Sequence, residues 1–518
     1  MKNSRSLPES LKETAARFSS QKAIVFGSRV LNFESLDNLS DRIAGALSAR
    51  SIDKGDRIGL YCPNSDAFVL AYFGILKAGA TVVPINLLLN PKEIAYILNN
   101  AGAKALIYHE SFAKNIRELS TLVRDLKFRV CIGSGKAFDE DILWSTLLRE
   151  SAQAPTINFE PKEDIAVILY TSGTTGFPKG AMLTHFNLIS NVESIWDAVK
   201  LDKGREVFLV VLPMFHAFAA TASMLTPLLN GCAIVPLPRF DPEETAKAIQ
   251  SESASIFMGV PSMFTMLLKL ADEYTPAISS LKCCISGGAA MPMEVMKQVE
   301  DRFGLPIHEG DGPTECSPVT CVNPVGGKRK PGSVGLPVPR VEMKILNEQG
   351  EELPLGEVGE ICVRGPNVMK GYWQKPEETK AAFFGEWFRT GDLGMKDEDG
   401  YFFIVDRKKD MIIVNGMNVY PRVVEEILYK LPAVQEAAVV GDPHKLHGEI
   451  PVAYVVLRDG SSATGAQVRA FCRDNLGRHE VPRKVFFLPE LPKNAAGKIL
   501  KRALRKDGEI ERGVLPQC

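Results

Sequence analysis

Several features are scarce in this chain, and each shortage closes off a class of function. Net charge is nearly absent: 61 Lys and Arg face 62 Asp and Glu over 518 residues, a formal −1. No basic tract is long enough to alter that balance, so no nucleic-acid partner is expected. Paired cysteines are also missing. The ten cysteines are scattered; Cys283 and Cys284 are adjacent, and Cys316 and Cys321 lack a second pair at zinc spacing. That pattern argues against a disulfide framework or a structural zinc, and fits a reducing cytoplasm. The N-terminal stretch MKNSRSLPESLKETAARF has no apolar segment of the secretion-signal kind. Long hydrophobic runs fail too. From Val207 to Pro238 there is no Asp, Glu, Lys or Arg, but Pro213, His216, Pro227, Asn230 and Pro236 interrupt the span. No uninterrupted apolar run reaches the ~20 residues of a spanning helix. The span reads as buried strand, buried helix, buried strand. No transmembrane segment is expected, and a loose association with a membrane surface stays open. Internal repeats and low-complexity tails are absent.

What is present describes a globular α/β protein. Hydrophobic residues make up 45% and charged residues 24%, and 518 residues exceed one ordinary core, so more than one domain is expected. Helical patterns (SLKETAARF, DNLSDRIAGALSA) alternate with apolar strands (RIGLYCP, TVVPIN, KALIYH, AVILYT, VFLVVLP, CAIVPLP). Such alternation predicts layered, largely parallel sheets. After about Gly326 the texture changes to short strands broken by Gly and Pro (VEMKIL, EVGEICVRG, GYFFIVD), a β-rich subdomain. From DRKKD onward a compact α+β unit is predicted, with a helix starting near Pro421, strands EAAVVG and PVAYVVL, a helix around Val468 and a strand KVFFL. The boundary is placed near Asp406–Lys409, where charge clusters between apolar strands.

The stretch YTSGTTGFPKG, from Tyr170 to Gly180, concentrates anion-binding chemistry. Its glycines, Gly173 among them, let several backbone N–H groups converge. Thr171, Ser172, Thr174 and Thr175 add hydroxyl donors, and Lys179 adds a full positive charge. The apolar run DIAVILY before it reads as a buried strand. After it, Leu188, Ile189, Val192, Ile195, Trp196 and Val199 share a helical face behind Thr184, a candidate N-cap. The loop thus leaves the end of a strand, where α/β proteins bind nucleotides. A Walker loop is excluded, because Pro178 and Gly180 flank Lys179 where Gly and Ser or Thr are required.

Six segments in series, YTSGTTGFPKG, SGGAAMP, EGDGPTE, RTGDLG, VDRKKDMIIVNGMNVYP and PKNAAGKILKRALR, resemble the adenylate-forming superfamily of acyl-CoA synthetases, luciferases and peptide-synthetase adenylation domains. The resemblance runs through nearly the whole chain. It implies a large AMP-binding domain over 1–405, with a β-rich subdomain at about 326–405. It further implies a small mobile α+β domain over 406–518 that carries a catalytic lysine. The implied chemistry joins a carboxylate to AMP, releases pyrophosphate, and passes the acyl group to a thiol. ATP, Mg²⁺ and coenzyme A are the implied co-substrates, with a small carboxylic acid as the fourth.

The resemblance also assigns roles. Thr314 would contact the α-phosphate and Glu315 would ligate Mg²⁺; one carboxylate with phosphate oxygens and waters is an ordinary Mg²⁺ arrangement. Asp392 would accept both ribose hydroxyls, assisted by Arg407. Gly287, Gly288 and Ala289 would wall the adenine and acyl pocket, with Glu309, Gly310 and Asp311 at the nucleotide. Asp311 departs from the family, which usually has an aromatic ring there to stack on adenine. Lys498 would stabilise charge at the α-phosphorus. Lys409 falls at the hinge position, and Gly416, in VNGMNV, would let the pantetheine arm pass.

For the acid, the span PMFHAFAATASML offers no carboxylate to pair with an ammonium, and a buried unpaired ammonium is costly. An uncharged acyl group is therefore expected, and FHAFA resembles fatty-acid and aryl-acid CoA ligases. His216 would gate the carboxylate end, with Met214, Ala217, Met258, Gly259 and Val260 as pocket walls. A medium- or long-chain fatty acid is favoured over an aryl acid. A carrier-protein acceptor and a non-catalytic nucleotide-binding relative are the alternatives.

Overall fold

The protein was analysed as a computed structural model, which describes residues 5–150, 153–171, 178–494 and 497–505. Among these residues the strands form four sheets. An eight-stranded sheet and a nine-stranded sheet are parallel through their centres and antiparallel at an edge. A five-stranded antiparallel sheet follows over 342–407, and a second five-stranded sheet lies within 412–487. This is the layered α/β architecture with β-rich later parts that the alternation of patterns predicts.

The helix Asp66–Lys77 shows why the two large sheets stack. Every one of its residues is buried, so it has no wet face. It packs against the helix Phe33–Ser48 and against strands of both sheets. Its apolar run DAFVLAYFGILK is bounded by Ser65, whose side chain accepts from Phe68 N. Each fully buried Phe, Leu or Ile here contributes roughly 1.5–3 kcal/mol from leaving water.

The charge-free span forms the strand Val207–Val210, a helix and the strand Ala233–Pro236, in the predicted order. The helix is of π type over Phe218–Leu225 before a short α turn, Thr226–Leu229. Among the described residues, no helix is long and apolar enough to cross a membrane.

One local expectation changes. The strand before the Ser/Thr/Gly loop is Ile165–Thr171, but the chain does not pass straight into a helix. It returns antiparallel as Lys179–Thr184, with Thr171 opposite Lys179. The helix His185–Val199 then starts behind Thr184, whose side chain accepts from Asn187 N. The strands on either side of the loop are therefore antiparallel partners. Ser172, Gly173, Thr174 and Thr175 lie outside the described residues.

In the last part, Pro421 occupies the first turn of the helix Pro421–Tyr429, and the helix Gly465–Asn475 packs with it beside the final sheet. Proline suits that position because its missing N–H would have no helical partner there.

Candidate active site

The end of the strand Ile165–Thr171, the turn Thr314–Cys316 and an edge strand meet at Glu315. Thr171 Oγ1 donates to Glu315 Oε1 at 3.4 Å, and Tyr372 O–H donates to the same oxygen at 2.9 Å. Lys179 Nζ lies 5.3 Å from the centre of the Tyr372 ring. The Glu315 carbonyl accepts from Met369 N at 2.7 Å, which fixes the turn. Among the described residues there is no cluster of three or more His, Cys, Asp or Glu that could hold a metal. One carboxylate with hydroxyl neighbours does not fit a resident metal; it fits a cation that arrives with an anionic substrate and keeps its waters.

A second group of charges sits where the antiparallel strands Trp387–Lys396 and Phe402–Arg407 run side by side. Asp392 is opposite Arg407 in register, and Arg407 Nε lies 3.1 Å from Asp392 Oδ1. Asp392 is buried, and its charge is the main reason the guanidinium is held above its ordinary range. Asp311 ends the strand Ile307–Asp311 and faces the same group. Burial, then the Asp392 charge, push its carboxyl up to about 6 against the pull of Arg407 and Lys498.

Lys498 enters from the last part of the chain. Its turn is closed by Asn494 N to Lys498 O at 2.9 Å and by Lys498 N to Asn494 Oδ1 at 2.9 Å. The turn docks on the helix Pro261–Leu267, where Ser262 Oγ donates to Gly497 O at 2.9 Å. Gly497 has φ +82°, and a Cβ there would lie 3.0 Å from Ser262 Oγ and Val260 Cγ2, so the close approach needs glycine. Burial, then the Arg407 charge, lower the Lys498 ammonium to about 8, although Asp392 and Asp311 oppose the shift. His216 faces Lys498 as well. Desolvation by surrounding protein and the nearby ammonium hold its imidazole below the ordinary value. Phe218 N donates to His216 Nδ1 at 3.4 Å.

Of these groups His216 and Asp311 border a cavity, whereas Lys179, Glu315, Asp392, Arg407 and Lys498 are not among its lining residues. His216, Gly287, Gly288, Gly310, Asp311 and Thr314 line it, and its other walls are apolar, with Ile195, Val199, Phe218, Ala222, Met258 and Ile285. Ala289 follows the glycines and is not among the lining residues. Of the pocket walls expected from sequence, Met258 lines the cavity. Met214 and Ala217 are buried core, and Gly259 and Val260 stay outside the lining. Glu309 is also buried and outside the lining. Its Oε1 accepts from Met291 N at 3.0 Å and lies 3.8 Å from Arg422, while burial raises it to about 7. Lys409 is exposed between the sheet over 342–407 and the strand Ile412–Val414. Gly416 is exposed at the tip of the hairpin Ile412–Val414 and Met417–Val419, and is not among the cavity residues.

Sequence reasoning overlooked Tyr372, Ser262, and the cavity faces of Ile195, Val199 and Ala222. The helical period did group Ile195 with Val199, but as core. Tyr372 and Ser262 stand in none of the quoted motifs.

The comparisons with known proteins agree with this geometry. The model of the AMP-binding enzyme family matches residues 11–373, and that of the AMP-binding enzyme C-terminal domain matches 423–498. A long-chain-fatty-acid–CoA ligase of Bacillus subtilis is 39% identical over 97% of this chain and 94% of its own. A feruloyl-CoA synthase of an Amycolatopsis species is 36% identical over 93% of this chain and 95% of its own. The crystal structure of an anthranilate CoA ligase in complex with anthranoyl-AMP superposes with TM-score 0.90 at 29% identity, covering 97% of each chain. The chain belongs to the AMP-binding enzymes of the adenylate-forming superfamily, among the acid–thiol ligases that make acyl-CoA.

Proposed function

We propose that the protein is an ATP-dependent acyl-CoA synthetase for a medium- or long-chain fatty acid. The observation that carries this is the cavity itself: an apolar chamber whose polar border gathers Asp311, His216 and Thr314, with the Lys498 ammonium acting on Asp311 and His216. An acyl chain fits the apolar walls and leaves its carboxylate at the charged border. The relatives named for long-chain fatty acids support the aliphatic choice.

In the first step a carboxylate oxygen attacks the α-phosphorus of ATP; the new O–P bond forms as the bond to pyrophosphate breaks. Lys498 stabilises the charge that builds on the α-phosphate oxygens, and Thr314 donates to them. Asp392, held by Arg407, accepts the ribose hydroxyls. Thr171, Lys179 and the adjoining Ser172, Gly173, Thr174 and Thr175 hold the triphosphate. Bound through Glu315, Mg²⁺ would neutralise phosphate charge. Gly287, Gly288, Gly310 and Asp311 border the base, while Ala289 and Glu309 back this wall from outside the lining. His216 borders the carboxylate.

In the second step the thiol of coenzyme A attacks the acyl carbonyl, and AMP leaves with the bonding electron pair. Residues 406–518 form the domain that brings Lys498 for the first step and then turns about Lys409 to present Gly416 for the second. Many of its contacts with the rest of the chain are polar, among them Arg407 with Asp392 at 3.1 Å, Arg422 with Glu309 at 3.8 Å, Arg458 with Gln298 at 3.4 Å, Met293 N with Glu426 at 3.4 Å, and Ser262 with Gly497. Interfaces of this kind separate readily. The described cysteines are free and buried, which fits a reducing cytoplasm.

A panel of acids with ATP, Mg²⁺ and coenzyme A tests the assignment. Medium- and long-chain fatty acids should give the highest thioester kcat/KM, with release of AMP and pyrophosphate. A preference for aryl acids would replace the substrate class, and acyl-AMP without thioester would replace the acceptor.

A further inference from the structure

Tyr372 lies outside the motifs that pointed to the cleft, yet it touches two of its charged groups. Its hydroxyl meets Glu315 Oε1 at 2.9 Å, and its ring lies 5.3 Å from Lys179 Nζ. The backbone that carries it is anchored from several directions. Gly371–Tyr372 is a short strand on the edge of Lys179–Thr184, with Tyr372 opposite Ala181. Lys370 N donates to Met182 O at 3.0 Å and Trp373 N to Gly180 O at 2.7 Å on either side of it. Tyr372 N donates to Thr379 Oγ1 at 2.8 Å, and Trp373 Nε1 to Asn100 O at 3.0 Å.

This anchoring has a consequence for Glu315. Both hydroxyl donors, Tyr372 and Thr171, fall on Oε1. Among the described residues no donor reaches Oε2. A carboxylate with one oxygen occupied by hydroxyls offers the other to a cation, and hydrogen bonds behind a metal ligand fix its orientation. The Tyr372 ring acts on Lys179 differently. An aromatic face attracts an ammonium and narrows its range of positions.

We propose that Tyr372 is a positioning residue for the nucleotide: its hydroxyl keeps Glu315 turned to the cation that accompanies the triphosphate, and its ring steadies the Lys179 ammonium as a phosphate partner. This rests on the reading of Glu315 as the cation ligand and Lys179 as a phosphate partner. The test is calorimetric binding of ATP to the full chain, with Mg²⁺ and with chelator. Tyr372→Phe removes the hydroxyl and keeps the ring. It should weaken Mg²⁺-ATP by about tenfold and leave metal-free ATP within about twofold, as expected for one hydrogen bond to a charged group. Tyr372→Leu, which removes the ring as well, should also weaken metal-free ATP. Glu315→Gln separates the two layers. If Glu315→Gln abolishes the Mg²⁺-dependent gain while Tyr372→Phe keeps it, the role of Tyr372 is overturned and that of Glu315 stands. If the wild type shows no gain, or Glu315→Gln retains it, the reading of Glu315 falls and this role falls with it. Equal loss of both ATP forms in Tyr372→Phe would mark a merely structural side chain and also overturn the proposal. So would metal-free binding that Tyr372→Leu leaves unchanged.

Discussion

If Lys498 serves adenylation as proposed, the rate should be lost on the alkaline side. Burial and the Arg407 charge lower this ammonium to about 8, and His216 faces it as a neutral ring. A depressed lysine is charged below its pKa and neutral above it, so the useful form is lost as pH rises. The charged fraction is roughly nine-tenths at pH 7, half at pH 8 and a tenth at pH 9, whereas an ordinary lysine stays charged throughout. If the ammonium stabilises the transferring phosphorus, kcat/KM for acyl-AMP formation falls about tenfold per pH unit above that midpoint. Bound triphosphate adds negative charge, so the limb in kcat lies at higher pH than the limb in kcat/KM. Lys498→Arg keeps its charge over the whole range; it should lower the rate but remove the alkaline limb. The assay is pyrophosphate release without coenzyme A, between about pH 6 and pH 10 at constant ionic strength. A wild-type profile flat to the alkaline end, or a limb unchanged in Lys498→Arg, would refute the assignment.

Other substitutions probe the remaining parts of the cleft. Asp392→Asn leaves Arg407 without its carboxylate at 3.1 Å and should raise KM for ATP by about tenfold to a hundredfold, read from initial rates with ATP varied. Gly312→Ala places a Cβ 1.7 Å from Pro318 O, so the backbone leading to Thr314 and Glu315 must move. It should lower stability by about 1–3 kcal/mol in thermal or denaturant unfolding and remove most adenylation. Ala222→Phe adds a ring to an apolar wall of the cavity. It should cut kcat/KM for the longest acids by more than about tenfold while sparing short ones, measured across a chain-length series.

The parts of the fold carried by local period and local chemistry were legible in the residues. The strand ending at Thr171, the Thr184 cap and the helix behind it follow from apolar spacing and a hydroxyl at the right place. The return strand Lys179–Thr184 was not, because it is short and holds its place through pairing with Ile165–Thr171 and Gly371–Tyr372. The π turn of Phe218–Leu225 was equally hidden, since a charge-free run has no polar face to reveal its period. Within the site, Glu315, Asp392 and Lys498 were named from motifs, and the structure sets Glu315 beside Thr171 and the other two with Asp311. Tyr372 escaped because its partner Glu315 is 57 residues away and nothing in the intervening chain signals the contact. Glu309 shares a motif with cavity residues, yet its side chain turns to Met291 and Arg422, a choice made by a helix more than a hundred residues downstream. Gly416 belongs to a hairpin tip and is not among the cavity residues.

The most direct measurement compares the two half-reactions in Lys498→Ala. Acyl-AMP formation from ATP and a fatty acid should fall below detection, while thioester formation from supplied acyl-AMP and coenzyme A keeps much of the wild-type rate. Equal loss of both half-reactions, or adenylation that survives the substitution, would contradict a cleft in which a lysine from the last domain serves the first step alone.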